Sequence, residues 1–353
     1  VSSAASDVYK RQSLYRINFG ANFPIMTFSM PQNHPMGLEI ALSALRAAGE
    51  ETRLRLLVLL AEGDLTVSDL TDILGQSQPR ISRHLKLMVD AGLITRHREG
   101  SWAFFRLARQ HNGAPLAQWL VAGLATDDAV LKVDRQRLAA VRAARNEAAQ
   151  AYFAKHAGEW DRIRSLHVSE TQVAEAIQTN IGTTRLHAVL DLGTGTGQML
   201  RLLAPQADHL LGLDVNASML AVARAQLAAD GLHHVELRQG DLYALPVDRD
   251  SFDLVILHQV LHYLDDPQRA LREAAQVATI GGHLLVVDFA PHDLEFLREE
   301  QAHRRLGFAD AQMRQWLKDA GLHVEKTTSL VPPDQGRPQL TVTLWLAKKL
   351  AQA

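Results

Sequence analysis

At 353 residues the chain exceeds the size at which one hydrophobic core stops growing, about 250–300 residues, so more than one domain is expected. Hydrophobic residues make up 47% and charged residues 22%, which excludes collagen-like, coiled-coil and wholly disordered chains. The 37 Lys and Arg against 39 Asp and Glu give a net charge of −2, so a nucleic-acid function has to come from a local patch. The absence of cysteine excludes disulfides, thiolate metal sites and thiol nucleophiles.

The opening VSSAASDVYKRQ differs in character from the rest of the chain. Residues 1–36 are expected to be a non-native or disordered segment, with the native start at Met26, Met30 or Met36. The uncharged run from Ile17 to Leu38 is long enough to span a bilayer, but Asn18, Asn22, Pro24, Pro31, Asn33, His34 and Pro35 interrupt it. No membrane span and no secretion signal are expected, and the location is expected to be cytoplasmic.

Residues 37–110 form the first module. Leu38–Ala48 and Arg53–Leu60 carry apolar residues at helical spacing. Thr66 with Asp69 is a capping box opening a helix to Leu74; Gly75 ends it, and Ser77 with Pro79 starts another. On that second helix Ile81, Leu85 and Met88 share one face. Gln78, Arg80, Ser82, Arg83 and Lys86 are left for solvent and suit a major groove. Ile94–Arg98 and Trp102–Arg106 alternate as the strands of a hairpin around Glu99-Gly100-Ser101, a wing that carries Arg96 and Arg98. From Arg80 to Arg109 the cations also include Arg106 and Arg109, opposed only by Asp90 and Glu99. That local excess points to operator DNA, with the wing on phosphates and the helix on base edges.

Residues 111–180 read as a helical connector, dimerisation and cap region, with helices at Pro115–Leu124 and Asp134–Lys155. The arginines of the second helix read as a solvated face. Tyr152 is the residue placed over a ligand site; Phe153, Trp160 and His167 are further candidates.

From residue 181 to 353 strands alternate with helices. Strands are expected at Val189–Leu192, His209–Val215, Val235–Gln239, Leu254–Leu257, His283–Phe289, Val324–Leu330 and Leu340–Ala347. Helices are expected at Gly197–Leu203, Ser218–Ala229, Pro267–Ala278 and Ala309–Ala320. Only VPPDQGRPQ separates the last two strands, which therefore pair antiparallel at one edge. The chain as a whole reads as a multidomain α+β and α/β protein: an N-terminal winged helix-turn-helix and a C-terminal doubly wound, Rossmann-like sheet of seven strands. The first strand runs into Asp191-Leu192-Gly193-Thr194-Gly195-Thr196-Gly197, a loop that brings backbone close to a ligand. Gln198 stands where a dinucleotide fingerprint needs glycine, which argues against hydride transfer. Asp214 ends the second strand, where a carboxylate accepts from ribose hydroxyls, and Asp241 follows the third beside an adenine edge. His258, His262 and His292 fall on the acceptor side as candidate general bases. The HxxxH spacing of His258 and His262 has Gln259 where a metalloprotease has glutamate, and no metal site is expected. Asp293, Glu295, Glu299, Glu300 and His303 read as an exposed helix face.

The segment TRLRLLVLLAEGDLTVSDLTDILGQSQPRISRHLKLMVDAGLITRHREGSWAFFRL closely resembles the ArsR family of winged-helix regulators. The resemblance implies a homodimer on a palindromic operator, with a dimerisation helix near Pro115–Leu124. Positions that carry metal-binding cysteines in many members are Thr66 and Ser68 here, so thiolate sensing of As(III) or Sb(III) is not expected. The glycine loop, Pro246, Phe252-Asp253, HQVLHYLDDP and IGGHLLVVDF strongly resemble class I S-adenosylmethionine-dependent methyltransferases. That resemblance implies S-adenosylmethionine held by Asp191, Gly193, Gly195 and Gly197 on the methionine part, Asp214 on the ribose, and Asp241 and Leu242 on the adenine, with His258 lining the site. The absence of cysteine argues against arsenite methylation, and a small-molecule acceptor is expected. The alternative is a regulator whose second domain only senses S-adenosylmethionine or S-adenosylhomocysteine.

Overall fold

A computed structural model describes residues 36–99, 102–108, 112–159, 170–232, 234–332 and 340–351. The N-terminal segment, the wing tip, Arg109, Trp160 and His167 lie outside the described residues.

Helices α1 (Leu38–Ala48) and α2 (Glu51–Ala61) precede a two-residue strand β1 (Leu65–Thr66), then α3 (Val67–Leu74) and α4 (Gln78–Asp90). The Thr66–Asp69 capping box forms: each side chain accepts from the other's backbone N–H. Gly75 ends α3 in the left-handed region. Pro79 enters the first turn of α4, although the Ser77 side chain makes no capping hydrogen bond. Ile81, Leu85 and Met88 are buried among α1, α2 and α3 residues. The hairpin of β2 (Ile94–Glu99) and β3 (Trp102–Leu107) is antiparallel, and β3 also pairs with β1.

Helix α5 (Ala114–Gly123) is followed by α6 (Ala129–His156), which starts ahead of the expected Asp134 because Asp128 caps it by accepting from Val130 and Leu131 N–H. The arginines of α6 are not a free solvated face. Arg135 and Arg142 pair with Glu62, Arg137 donates to the Ile73 carbonyl, and Arg145 pairs with Asp69. The buried Asp134 accepts both ends of the Arg55 fork at 2.7 and 2.8 Å.

After α7 (Glu170–Ile181) come β4 (Leu186–Leu192), α8 (Gln198–Leu203), β5 (Ala207–Asp214), α9 (Ala217–Ala229), β6 (Glu236–Gln239), β7 (Phe252–His258), α10 (Pro267–Val277), β8 (Ala278–Phe289), α11 (Phe296–Glu300), α12 (Asp310–Asp319), β9 (Leu322–Leu330) and β10 (Val342–Lys349). The sheet order is β6-β5-β4-β7-β8-β10-β9, with β10 antiparallel to both neighbours, as the short last connection requires. Strand side chains alternate between two cores. In β7, Val255 and Leu257 meet Leu271 and Ala274 of α10, whereas Leu254 and Ile256 pack with Ile177 of α7 and Leu203 of α8. The reversal of strand order at β4 opens a crevice beyond the carboxyl ends of β4, β5 and β7.

The winged helix and the large sheet meet across buried charges. Arg305, wholly buried, donates to Asp64 at 3.0 Å and to the Asp265 carbonyl, with its guanidinium 4.2 Å from the centre of the Phe104 ring. Arg304 pairs with Asp69 and Asp265, and Arg106 with Asp64 and Asp266. Burial by itself would raise the Asp64 pKa, but the Arg305 and Arg106 guanidiniums outweigh it and hold the carboxyl below its ordinary range. Among the described residues, no helix is long and apolar enough to cross a membrane.

Candidate functional site

The crevice opens into a cavity of about 700 Å³, within the range of small-molecule sites. Asp191, Gly193, Gly195, Asp214, Asp241, Leu242, His258 and Tyr152 all line it. One wall is the β4–α8 loop. Gly193 and Thr194 N–H donate to the Leu213 carbonyl, fixing the turn, and Thr194 Oγ1 donates to the buried Asp191 at 2.6 Å. Gly193 has φ +71°, and a Cβ there would stand 2.6 Å from Val260 Cγ2. Gly193→Ala is therefore expected to destabilise the chain in urea unfolding by about 1–3 kcal/mol. Gly231→Ala, also at positive φ but with nothing within 4 Å of a Cβ, is expected to cost less.

Asp214 accepts from Gly195 N–H on one oxygen and from Asn216 N–H on the other, both at 2.8 Å. A carboxylate has about four acceptor positions, so acceptor capacity remains for a ligand in the cavity. Burial raises its pKa above the ordinary value, and the backbone donors offset this only in part. Such a carboxylate gains from further hydroxyl donors. Asp241 accepts from Tyr243 N–H at 2.9 Å, which holds the turn after β6 in place.

Three of the expected site residues stand elsewhere. Gly197 does not line the cavity; at φ +82° it starts α8, and a Cβ would meet that of Ala223 at 3.3 Å, so it serves the turn and helix packing. His262 turns inward, 1% exposed, because the chain after β7 makes a short 3-10 turn rather than a helix displaying it to the cleft. Its Nδ1 lies 2.8 Å from Asp288 Oδ1. His292 also stands off the cavity wall; its Nδ1 accepts from Leu294 N–H, and burial, with His262 and Arg298 nearby, pushes its pKa down to about 4. The histidine that reaches the wall beside His258 is His303, 5% exposed and ring to ring with His262 at 4.2 Å, so it does not lie on an exposed helix face.

Beyond this strip the cavity is aromatic and shared between domains. Phe153 of α6 meets Tyr263 edge-on at 4.8 Å. Tyr243 accepts from Asp266 N–H, and burial and the nearby Asp265 and Asp266 push its phenol up to about 12. Glu62 and the wing residue Trp102 belong to the winged helix yet line the same cavity. No sequence signal marks Trp102, because only the docking of the wing brings it there.

The second candidate surface is α4 with the wing. Gln78, Arg80, Ser82, Arg83 and Lys86 are all exposed, as are Arg96 and Arg98 on β2. Glu50 stands 3.9 Å from Arg80. Arg106, counted with the basic patch in the sequence, turns instead into the domain junction, so the patch is smaller than the sequence suggests.

Residues 50–96 match the family described as "Bacterial regulatory protein, arsR family", and residues 190–286 match "Methyltransferase domain". The chain is 40% identical over 74 residues to the arsenical resistance operon repressor of Escherichia coli (strain K12), covering 21% of this chain and 63% of that protein. It is 34% identical over 108 residues to the uncharacterized methyltransferase YcgJ of Bacillus subtilis (strain 168), covering 30% and 43%. It is 33% identical over 124 residues to the demethylmenaquinone methyltransferase of Clavibacter sepedonicus, covering 33% and 50%. The chain thus spans about half the length of these two curated methyltransferase relatives. With the helix-turn-helix on one side of the junction and the glycine-loop sheet on the other, the chain joins an arsR-family regulatory domain to a methyltransferase domain.

Proposed function

We propose that the protein is a DNA-binding transcriptional regulator whose fused methyltransferase domain binds S-adenosylmethionine and methylates a small molecule. The observation that carries the cofactor reading is the convergence of Gly193, Gly195, Asp191, Asp214 and Asp241 on one cavity, where the positive φ of Gly193 and its contact with Val260 let bare loop backbone form the wall. Asp214 would accept from the ribose hydroxyls, Asp191 and the glycine loop would face the methionine part, and Asp241 and Leu242 the adenine. S-adenosylmethionine, when bound, supplies a methyl group already activated on a sulfonium. The chain's part would be to exclude water and align an acceptor; Phe153, Tyr263 and Tyr152 would supply apolar walls, and His258 and His303, which line the cavity, would take a proton from an acceptor hydroxyl or carbon acid. A small acceptor agrees with the cavity volume and with the relative named for demethylmenaquinone. The relatives matched in this half are methyltransferases, which favours retained chemistry over sensing alone.

For the regulatory half, the exposed polar face of α4 and the arginines of β2 support operator binding. Leu38, Leu42 and Leu45 expose an apolar stripe on α1, and Trp119 of α5 is 69% exposed; these two helices pack together and support a homodimer through that face. Arg80→Ala with Arg83→Ala is expected to weaken binding to the chain's own upstream DNA by about a hundredfold or more, since one good base contact is worth about 1–3 kcal/mol. The same variant should leave S-adenosylmethionine binding unchanged in calorimetry. Unaltered DNA binding would show that α4 is not the reading helix.

A further inference from the structure

Arg145 is a cation of the cavity wall whose hydrogen bonding is incomplete among the described residues. Arg145 of α6 lines the cavity, half-buried, and pairs with Asp69 on one side. Its Nη1 makes no hydrogen bond among the described residues; Asp265 Oδ1 stands 3.8 Å away. Three of the carboxylates that share the wall are engaged elsewhere, and Glu299 lines it as well. Glu62 takes Arg135 and Arg142, Asp265 takes Arg304, and Asp266 caps α10 and faces Arg106. Burial, and after it the nearby Arg304 and Arg305, push the Arg145 pKa down to about 10.

An aromatic surface adjoins it. Trp102 is 38% exposed, and Arg298 covers its ring at 4.5 Å while donating to the Arg304 carbonyl. Arg304 in turn shares Asp69 and Asp265 with Arg145. Phe153 and Tyr263 line the same cavity. We infer that the junction end of the cavity binds a planar aromatic anion, its ring against Trp102, Phe153 or Tyr263 and its carboxylate or phenolate on Arg145, and that the DNA-reading helices sense its binding. This inference rests on the regulator reading under Proposed function. The link to DNA is Asp69. Its carboxylate accepts from Thr66 N–H and closes the turn that starts α3, and α3 packs against α4. An anion that draws Arg145 away from Asp69 loosens that anchor, so operator affinity should fall when the site fills.

The test uses the full chain, first titrated with S-adenosylhomocysteine to check the cofactor reading separately. Salicylate and naphthoate are then titrated beside salicylamide and naphthamide, with tryptophan fluorescence and operator binding as readouts. The acids should bind about tenfold or more tighter than their amides, because a charge-assisted contact to Arg is about twice as strong as a neutral one. Trp102→Leu, at an exposed position, should weaken the acids by about three- to tenfold. Arg145→Gln, which keeps a hydrogen-bond donor toward Asp69 but no charge, should erase the preference for acid over amide. Saturating acid should lower operator affinity by about fivefold or more. Acids that bind no better than amides, acids that do not bind, variants that bind like the parent, or operator affinity indifferent to bound acid would each overturn the inference. Failure to bind S-adenosylhomocysteine, with the acid results intact, would instead count against the cofactor reading alone.

Discussion

Asp64→Ala is expected to lower the unfolding free energy by about 3–5 kcal/mol, the cost of leaving one member of a buried ion pair without its partner. Asp64 is 5% exposed, accepts from Arg305 at 3.0 Å and faces Arg106 at 3.9 Å, so its removal strands a wholly buried guanidinium. The Asp265 carbonyl and the Phe104 face would remain beside Arg305, but neither carries a formal negative charge. Replacing both partners together, Asp64→Leu with Arg305→Met, removes the stranded charge as well as the pair and should be far milder than either single change. The pH dependence has a definite sign. The Asp64 pKa is lower in the folded chain than in the unfolded one, so its contribution is fully present above the unfolded carboxylate value of about 3.9 and is lost as the pH falls through the folded value. Urea unfolding of the parent, the single variants and the double variant is the measurement. A loss under about 1 kcal/mol for Asp64→Ala would mean that the junction is not held by this pair.

The second large effect is on the ligand. Asp214→Ala is expected to weaken S-adenosylmethionine binding by about a hundredfold or more, since two hydrogen bonds to a charged group are worth about 1.5–3 kcal/mol each. The substitution also takes the acceptor from Gly195 and Asn216 N–H, so Asp214→Asn, which keeps one acceptor oxygen, should lose less. Hydroxyl donors favour the ionised form of this carboxyl, whose pKa burial has raised. Affinity should therefore be full above that raised pKa and fall as the pH drops through it, beginning at a higher pH than an ordinary carboxylate would give. Calorimetry across pH on the parent and both variants checks the loss and its direction. Equal affinity in Asp214→Ala would place the nucleoside elsewhere.

The features legible in the sequence are those set by neighbours along the chain. The Thr66–Asp69 box, the left-handed Gly75, the wing hairpin and the glycine loop each depend on a few adjacent residues, and each is found where the sequence puts it. Strand ends are less visible. The expected strand starts at His283, yet β8 begins at Ala278 and runs through Gly281-Gly282, because pairing with β7 carries the strand across a local irregularity that glycine tolerates. The junction end of the cavity is not legible, for a physical reason. Trp102, Arg145, Arg298 and His303 come from the wing, α6 and the segment around α11, and only long-range contacts between domains bring them together. His262 shows the same limit. Its spacing from His258 suits a helix face, but the 3-10 turn that follows β7 points it at Asp288.

If one chain both reads DNA and binds an adenosyl nucleoside, and the shared junction couples the two, then the nucleoside must change the affinity for DNA. The decisive experiment is binding of the chain to its own upstream DNA, followed by fluorescence anisotropy during titration with S-adenosylmethionine and, separately, S-adenosylhomocysteine, in the parent and in Asp214→Ala. Coupling of about 1–3 kcal/mol would shift the affinity by about fivefold or more with one of the nucleosides, and the shift should disappear in Asp214→Ala. Tight DNA binding indifferent to both nucleosides, in parent and variant alike, would contradict coupling through the junction.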